Sequence, residues 1–228
     1  MERMEDFFAA RVDEYEEHML SGVEGCEQAY ALIPSLLTES CRDLLDLGCG
    51  TGLELNEIFK RFPDVSVTGI DITREMLDQL KQNFPDRKLN LICGNYFDVD
   101  LKRNTFDCAI SFQTMHHFKH EAKIGLYQKI FEALKGDGRY IECDYMVEDQ
   151  EEEDLHFAEY KRLRDEMGIP DGEFYHYDTP CTVTNQIAML KKGGFERVEM
   201  VFRIGNTTIL AASKQVIPEK IDIYYIIR

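Results

Sequence analysis

Residues 43–53 read Asp-Leu-Leu-Asp-Leu-Gly-Cys-Gly-Thr-Gly-Leu, an apolar strand-like run that passes into three alternating glycines. Glycine at 48, 50 and 52 removes side chains where the chain must turn tightly and where a ligand must lie against bare backbone. A dinucleotide fingerprint would put its third glycine at position 53, which is Leu53 here, and Asp46 would set a carboxylate close to any pyrophosphate. The loop therefore suits a nucleoside better than a phosphate.

Outward from this turn, residues 66–71 read Ser-Val-Thr-Gly-Ile-Asp, a β-branched run whose last residue is acidic. Asp71 follows Gly48 by 23 positions, the spacing of one helix and a second parallel strand beside the first. A carboxylate at that strand end accepts both hydroxyls of an unphosphorylated ribose. With the glycine turn and Asp71 together, the chain resembles the class I S-adenosylmethionine-dependent methyltransferases over roughly residues 40–214. The resemblance implies a Rossmann-like α/β fold: a mostly parallel seven-stranded sheet ending in an antiparallel hairpin, helices on both faces, an N-terminal helical cover and an inserted lid. It implies S-adenosyl-L-methionine as cofactor.

The rest of the chain reads consistently with that frame. Leu53, Leu55, Ile58, Phe59 and Phe62 recur at helical spacing until Pro63, and Thr73 is placed to cap a helix carrying Met76, Leu77 and Leu80. Strands are expected at Leu89–Cys93, Phe106–Ser111 and Gly138–Cys143, with a helix over Lys119–Leu134. Strands alternating with such helices imply parallel βαβ units. From Asp144 to Pro180 the pattern breaks into an acidic run, a mixed helical stretch and an aromatic cluster, which reads as an insertion. A helix near Thr182–Lys192 and strands near Phe195–Phe202 and Thr207–Ala212 close the fold. One domain is expected: residues 1–40 a helical cover of one or two helices, 41–144 the cofactor half, 145–181 the lid, 182–214 the closing helix and hairpin, 215–228 a tail. In that tail Ile221, Ile223, Tyr225 and Ile227 alternate as in a strand, marking either a homodimer contact or an ordinary docked tail.

Composition excludes several classes. The 228 residues are 44% hydrophobic, enough for a full core, and carry 43 acidic against 26 basic residues for a net charge of −17. Such a surface repels phosphate backbones and anionic membranes, so nucleic acid is disfavoured as a partner. No apolar stretch approaches the length that crosses a bilayer, and no leader is recognisable. Cys26, Cys41, Cys49, Cys93, Cys108, Cys143 and Cys181 are odd in number and hold no Cys-x-x-Cys pair, which argues for a reduced, cytoplasmic setting.

In open α/β sheets ligands sit beyond the carboxyl ends of the strands, which selects the candidate residues. The resemblance assigns the cofactor to Asp46, Gly48, Cys49, Gly50, Gly52, Asp71, Ile72, Met76, Asn95, Tyr96, Phe112 and Gln113, with Tyr15 of the cover enclosing it. Family members commonly carry an acidic residue at the position of Asn95; an amide still accepts from the adenine amino group and donates to a ring nitrogen. His116 and His117, with Asp144 after the fifth strand, match groups that serve the acceptor hydroxyl in some O-methylating members, and they are the catalytic candidates. An imidazole near neutral pKa takes a hydroxyl proton while a carboxylate orients it. In the insertion Phe174, Tyr175, His176 and Tyr177 with Asp178 form an apolar wall with polar tips, and His176 and Tyr177 are the substrate-side candidates. No metal is expected: His116, His117, His120, Glu142 and Asp144 show no local ligand spacing, and Glu148–Asp154 reads as a solvated face. The expected activity is methyl transfer to an oxygen, less readily a nitrogen or carbon, of a small metabolite. The rival readings are an RNA-modifying methyltransferase, a binder of S-adenosylmethionine without turnover, and a nicotinamide oxidoreductase, the last opposed by Leu53 and Asp46.

Overall fold

Five residues, Asp43–Leu47, form the central strand β1 because their side chains alternate between two apolar layers: Leu44 enters one core cluster, Leu45 and Leu47 the other. The computed structural model describes residues 1–215, so the alternating tail at 221–227 lies outside the described residues. Strand β1 pairs in parallel with β2 (Ser66–Asp71) on one side and β4 (Phe106–Phe112) on the other. β3 (Leu89–Cys93) extends the sheet beyond β2, and β5 (Leu134–Val147) lies beside β4. β7 (Arg197–Ile204) and β8 (Thr207–Ser213) form an antiparallel hairpin whose second strand runs against β5. The order is β3-β2-β1-β4-β5-β8-β7, with a two-residue β6 (Cys181–Thr182) paired to β5 off this path. Chain order reverses between β1 and β4, the place where open α/β sheets leave a crevice.

Helices α4 (Leu55–Arg61) and α5 (Arg74–Asn83) follow β1 and β2, and α6 (His120–Ala133) follows β4. One face of the sheet packs Leu44, Val67 and Ile110 against Ile33, Ile58, Leu77 and Leu80; the other packs Leu45, Ile70, Ala109 and Tyr140 against Tyr127 and Ile130 of α6 and Leu190 of α8 (Val183–Lys192). Thr182 caps α8 by accepting the Asn185 N–H, whereas Thr73 stands at the start of α5 without a side-chain capping bond. Its own N–H is held by Asp71 instead.

Three expectations change in detail. The cover contains three helices, α1 (Met4–Ala9), α2 (Val12–Glu17) and α3 (Cys26–Leu36), with a π-helical turn at His18–Gly22 between the last two. Strand β5 is longer than expected at both ends. It starts at Leu134, across an irregularity in its pairing with β4, and runs on to Val147, carrying Asp144 and Tyr145 above the sheet edge. The insertion is dominated by one 18-residue helix, α7 (Gln150–Met167), capped by Asp149 at its start and ended by Gly168 at φ +62°. The acidic run belongs to this helix and is not a uniformly solvated face: Glu153 is buried and accepts the Thr182 N–H at 2.6 Å and the Asn185 amide at 2.9 Å.

After α7 the chain returns over the carboxyl edge of the sheet and is fastened twice. Phe174 O accepts the Met4 N–H and the His176 N–H donates to Glu2 O, tying the lid to the cover. Thr179 then donates through both its N–H (2.6 Å) and its hydroxyl (2.9 Å) to the His116 carbonyl, tying the lid to the segment after β4. Lid, cover and strand ends thereby enclose one volume.

Candidate active site

The first wall is the turn between β1 and α4. Gly48 N–H donates to the Ile70 carbonyl at 2.8 Å and Gly50 N–H to Asp71 Oδ2 at 2.9 Å, while Asp71 Oδ1 accepts the Thr73 N–H at 2.8 Å. Gly48 has φ +69° and Gly50 φ +47°. A side chain at 48 would place its Cβ 2.6 Å from Thr114 Oγ1, and one at 50 would meet the Tyr15 ring at 3.5 Å. Bare backbone at 48 is what lets Thr114 close on this loop, while at 50 it is the positive φ that favours glycine. Asp71 retains lone pairs after its two backbone donors.

Three of the expected cofactor residues stand behind this loop and do not line the cavity. Gly52 faces Leu80, Phe84 and Leu55, so its lack of a side chain serves helix packing. Cys49 is buried against Gly69 of β2. Asp46 is buried beside Glu54, and neither Asp46 oxygen nor Glu54 Oε1 has a hydrogen-bond partner among the described residues. Burial, and then the charge of Glu54, raises the Asp46 carboxyl well above its usual range; burial pushes Glu54 up to about 7. Two carboxyls in one dry site titrate as a pair that holds on to a proton.

Further along the strand ends, Ile72, Met76, Asn95, Tyr96, Phe112 and Gln113 all reach the cavity. Phe112 is stacked on Tyr30 with centroids 4.0 Å apart, and the Tyr96 hydroxyl lies 3.0 Å from Thr114 Oγ1. Gln113 adopts φ +50°, an uncommon conformation for a residue with a side chain and one that turns the chain sharply at the end of β4. The amide of Asn95 is already committed within its own loop: its oxygen accepts the Phe97 N–H at 2.9 Å and its nitrogen donates to Asp98 at 3.1 Å. One N–H and one lone pair remain for a nucleobase, fewer than the sequence reading assumed.

The opposite wall carries the histidines. His116 Nδ1 lies 2.6 Å from Asp144 Oδ1, which also accepts the Tyr145 N–H at 3.0 Å. Asp178 Oδ1 sits between three imidazoles, 3.4 Å from His117 Nδ1, 3.6 Å from His116 Nε2 and 4.0 Å from His176 Nε2. Burial opposes charge on His116, but the carboxylates of Asp144 and Asp178 outweigh it and raise its pKa. His117 is lowered by burial and by the neighbouring His116; His176 is pushed down to about 4 by burial and then by His117. Burial likewise opposes the Asp178 charge, yet the surrounding imidazoles hold that carboxyl far below the usual carboxylate range. Burial thus favours the neutral imidazole at His117 and His176, while the neighbouring carboxylates favour charge on His116 and the imidazoles favour it on Asp178.

Both walls face a single cavity of about 720 Å³. Of the sequence-derived candidates, Tyr15, Gly48, Gly50, Asp71, Ile72, Met76, Asn95, Tyr96, Phe112, Gln113, His116, His117 and His176 line it. Asp144 stands one layer back, behind His116. Tyr177 does not line it: its ring stacks on Tyr160 of α7 at 5.7 Å, because alternation along the lid segment turns it away from His176 and Asp178. Asp178 joins Asp144 as an acidic group that meets the histidines, a role the sequence reading gave to Asp144 alone. Phe8, Thr114, Tyr145 and Thr207 were missed because nothing local marks them; they arrive from the cover, the post-β4 turn and the β5–β8 edge. His120 and Glu142, weighed with the histidine pair from sequence, lie elsewhere: His120 contacts Glu153 at 2.9 Å, and Glu142 accepts from the Tyr140 hydroxyl at 3.0 Å. The first wall sets the Asp71 carboxylate at the cavity beside the Gly48 and Gly50 backbone.

The family model described as "Methyltransferase domain" matches residues 44–138, the span from β1 to the start of β5. The carboxy-S-adenosyl-L-methionine synthase of Campylobacter hominis is 25% identical over 201 residues, covering 84% of this chain and 85% of that protein. The malonyl-acyl-carrier-protein O-methyltransferase of Acetivibrio thermocellus is 31% identical over 101 residues, 44% of this chain and 35% of that one. Among solved structures, human N-acetylserotonin methyltransferase in complex with S-adenosylmethionine superposes with a TM-score of 0.60 at 17% identity, over 83% of this chain; this chain spans 52% of that one, and the likeness is one of fold. No helix among the described residues is long and apolar enough to cross a membrane.

Proposed function

We propose that this S-adenosylmethionine-dependent methyltransferase, which resembles the class I enzymes, moves the methyl group to an oxygen of a small hydroxylated metabolite. The observation that carries this reading is that the Gly48–Asp71 wall and the His116–His117–Asp178 wall open into the same cavity. Asp71 is placed to accept the ribose hydroxyls, the Gly48–Gly50 backbone to lie under the amino-acid part, and Tyr15 to cover it. Ile72 and Met76 flank the base. S-adenosylmethionine supplies a methyl group already activated on a positively charged sulfur. Protein groups need then only align the nucleophile and exclude water, and alignment of this kind lowers barriers by up to about 7–11 kcal/mol.

At the other wall the acceptor hydroxyl meets the imidazoles. His117, neutral because burial and His116 suppress its charge, is able to receive the hydroxyl proton as oxygen attacks; His116 is held in one orientation by Asp144. Glu14, Glu24, Asp71 and Asp178 line the cavity against one Lys or Arg among the described residues, Arg11. Arg11 donates to the Phe7 carbonyl at 2.8 Å and to Glu2 at 3.2 Å and lies 3.7 Å over the Phe7 ring. With its cation so engaged, the pocket favours a neutral or amine-bearing acceptor over a carboxylate or phosphate. Together with the net charge of −17, this also weighs against an RNA substrate.

The test is transfer of radiolabelled methyl to a panel of hydroxylated and amine metabolites, with bulk tRNA as a separate arm. Label on a hydroxyl compound, lowered about 10²-fold or more in His117→Ala with S-adenosylhomocysteine affinity retained, is the expected result. Label on tRNA, or cofactor binding with no labelled product, overturns the reading.

A further inference from the structure

We propose that His116, His117 and Asp178 form a binding site for a divalent first-row transition cation at the acceptor end of the cavity. The inference rests on the acceptor lying at this wall, and it adds a group that would bind the acceptor's oxygen there.

The donor set is the first argument. His116 Nε2, His117 Nδ1 and Asp178 Oδ1 all lie within 4.8 Å of one another, and a cation would replace the 3.4 Å contact of His117 Nδ1 with the Tyr177 carbonyl. Asp178 Oδ1 is shut off from solvent and has no hydrogen-bond partner among the described residues, although imidazole nitrogens stand 3.4 and 3.6 Å away. These separations are too long for good hydrogen bonds. Donors held about 2.1 Å from a tetrahedral ion are about 3.4 Å from each other. A carboxylate oxygen spaced in this way from two imidazoles is unsatisfied as a hydrogen-bond acceptor and correctly spaced as a ligand.

The surroundings are the second argument. The far nitrogen of His116, Nδ1, is bonded to buried Asp144 at 2.6 Å, the carboxylate–histidine pairing that orients metal-ligating imidazoles and fixes their tautomer. Asp178 is held in register with the histidines by its neighbour Thr179, whose two bonds to the His116 carbonyl join the lid to the post-β4 turn. His176, stacked on Phe7 at 3.5 Å, brings a third imidazole to 4.0 Å from the same carboxylate oxygen. Two imidazoles and one carboxylate select Zn²⁺, Co²⁺, Ni²⁺ or Fe²⁺ over Mg²⁺, and three protein donors leave positions open toward the cavity. A hydroxyl coordinated there ionises at lower pH than a free one, so with the cation bound the metal, and not His117, would activate the acceptor. Sequence spacing concealed the site because its carboxylate comes from the lid, 61 residues after His117.

The experiment uses untagged protein stripped with chelator and titrated with Co²⁺, read by its visible d–d absorption, with Mg²⁺ compared by calorimetry. S-adenosylhomocysteine binding is measured on the same samples. Expected is an equimolar Co²⁺ band of four- or five-coordinate intensity, Co²⁺ affinity reduced at least about 10-fold in Asp178→Asn and His117→Ala, and about 10- to 100-fold in Asp144→Asn. Circular dichroism identifies any variant that has not folded, and Asp178→Glu, which keeps the carboxylate, retains part of the band. No band in the wild-type chain, a band unchanged in Asp178→Asn, or heat with Mg²⁺ alone overturns the site. Loss of the cation site with S-adenosylhomocysteine binding and labelled product intact would sink this inference alone; an intact Co²⁺ band with no labelled hydroxyl product would sink the acceptor reading instead.

Discussion

Replacing Asp71 by asparagine isolates what its carboxylate does. In the native chain its two oxygens accept the Gly50 and Thr73 N–H groups at 2.9 and 2.8 Å while the residue faces the cavity. Asparagine keeps the shape and one acceptor, but its NH₂ must oppose one of those two backbone donors. Leaving one buried N–H unsatisfied costs about 1–3 kcal/mol of folding stability. Ribose hydroxyls bonded to a charged acceptor contribute about 1.5–3 kcal/mol, against about 0.5–1.5 kcal/mol for a neutral one, so cofactor binding is expected to weaken by about 1–3 kcal/mol, or about 5- to 150-fold. Urea denaturation of the apo-protein measures the first effect and calorimetric titration with S-adenosylhomocysteine the second. Asp71→Ala strands both N–H groups and is expected to lose about 2–6 kcal/mol of stability. If Asp71→Asn binds S-adenosylhomocysteine within twofold of the wild type, the ribose is not held by this carboxylate and the nucleoside has been put on the wrong wall.

The buried Asp46–Glu54 pair makes a pH prediction: Glu54 rises from 4.5 to about 7 in the folded chain, so its contribution to stability is present below its unfolded pKa and is lost as pH climbs through about 7. Urea midpoints of the apo-protein should therefore fall between about pH 5 and 8, and Glu54→Gln should flatten that decline; an unchanged slope would show that the pair does not titrate there. Gly48→Ala imposes φ +69° on alanine and drives its methyl to 2.6 Å from Thr114 Oγ1, for a combined loss of about 2–5 kcal/mol in denaturant melts; a loss under about 1 kcal/mol would mean that the loop relaxes freely. Asp144→Asn removes the charge that raises His116, so burial then prevails and the His116 imidazole is expected to titrate lower by NMR; an unmoved resonance would refute the pairing.

The parts of the site legible in sequence are those written within a few residues of each other. Gly48, Gly50 and Asp71 are such a set, since a glycine turn and an acid at the next strand end are positioned by one βαβ unit. His116 and His117 sit directly after β4, where the strand delivers them to the crevice. Gly52 has the same local pattern as its neighbours yet serves the contact with Leu80 and Phe84, a distinction that only helix packing makes. Asp178 and Tyr177 are adjacent in an irregular lid, and which of them faces the histidines depends on the two Thr179 bonds to His116. The extension of β5 to Val147 was hidden by Asp144, whose side chain is taken up by His116 while its backbone pairs with β8, and the buried role of Glu153 by the acidic neighbours that surround it in the chain. The fold followed from the resemblance carried by the glycine turn and Asp71, with local periodicity beside it; the acceptor wall followed from contacts between segments far apart in sequence.

The most direct test of the account is a crystal structure with S-adenosylhomocysteine bound. The account predicts the ribose on Asp71, the amino-acid part along Gly48–Gly50 under Tyr15, and the sulfur turned toward His116, His117 and Asp178 with no side chain between them. A sulfur turned away from those imidazoles, or a nucleoside bound elsewhere than beside Asp71, would contradict it.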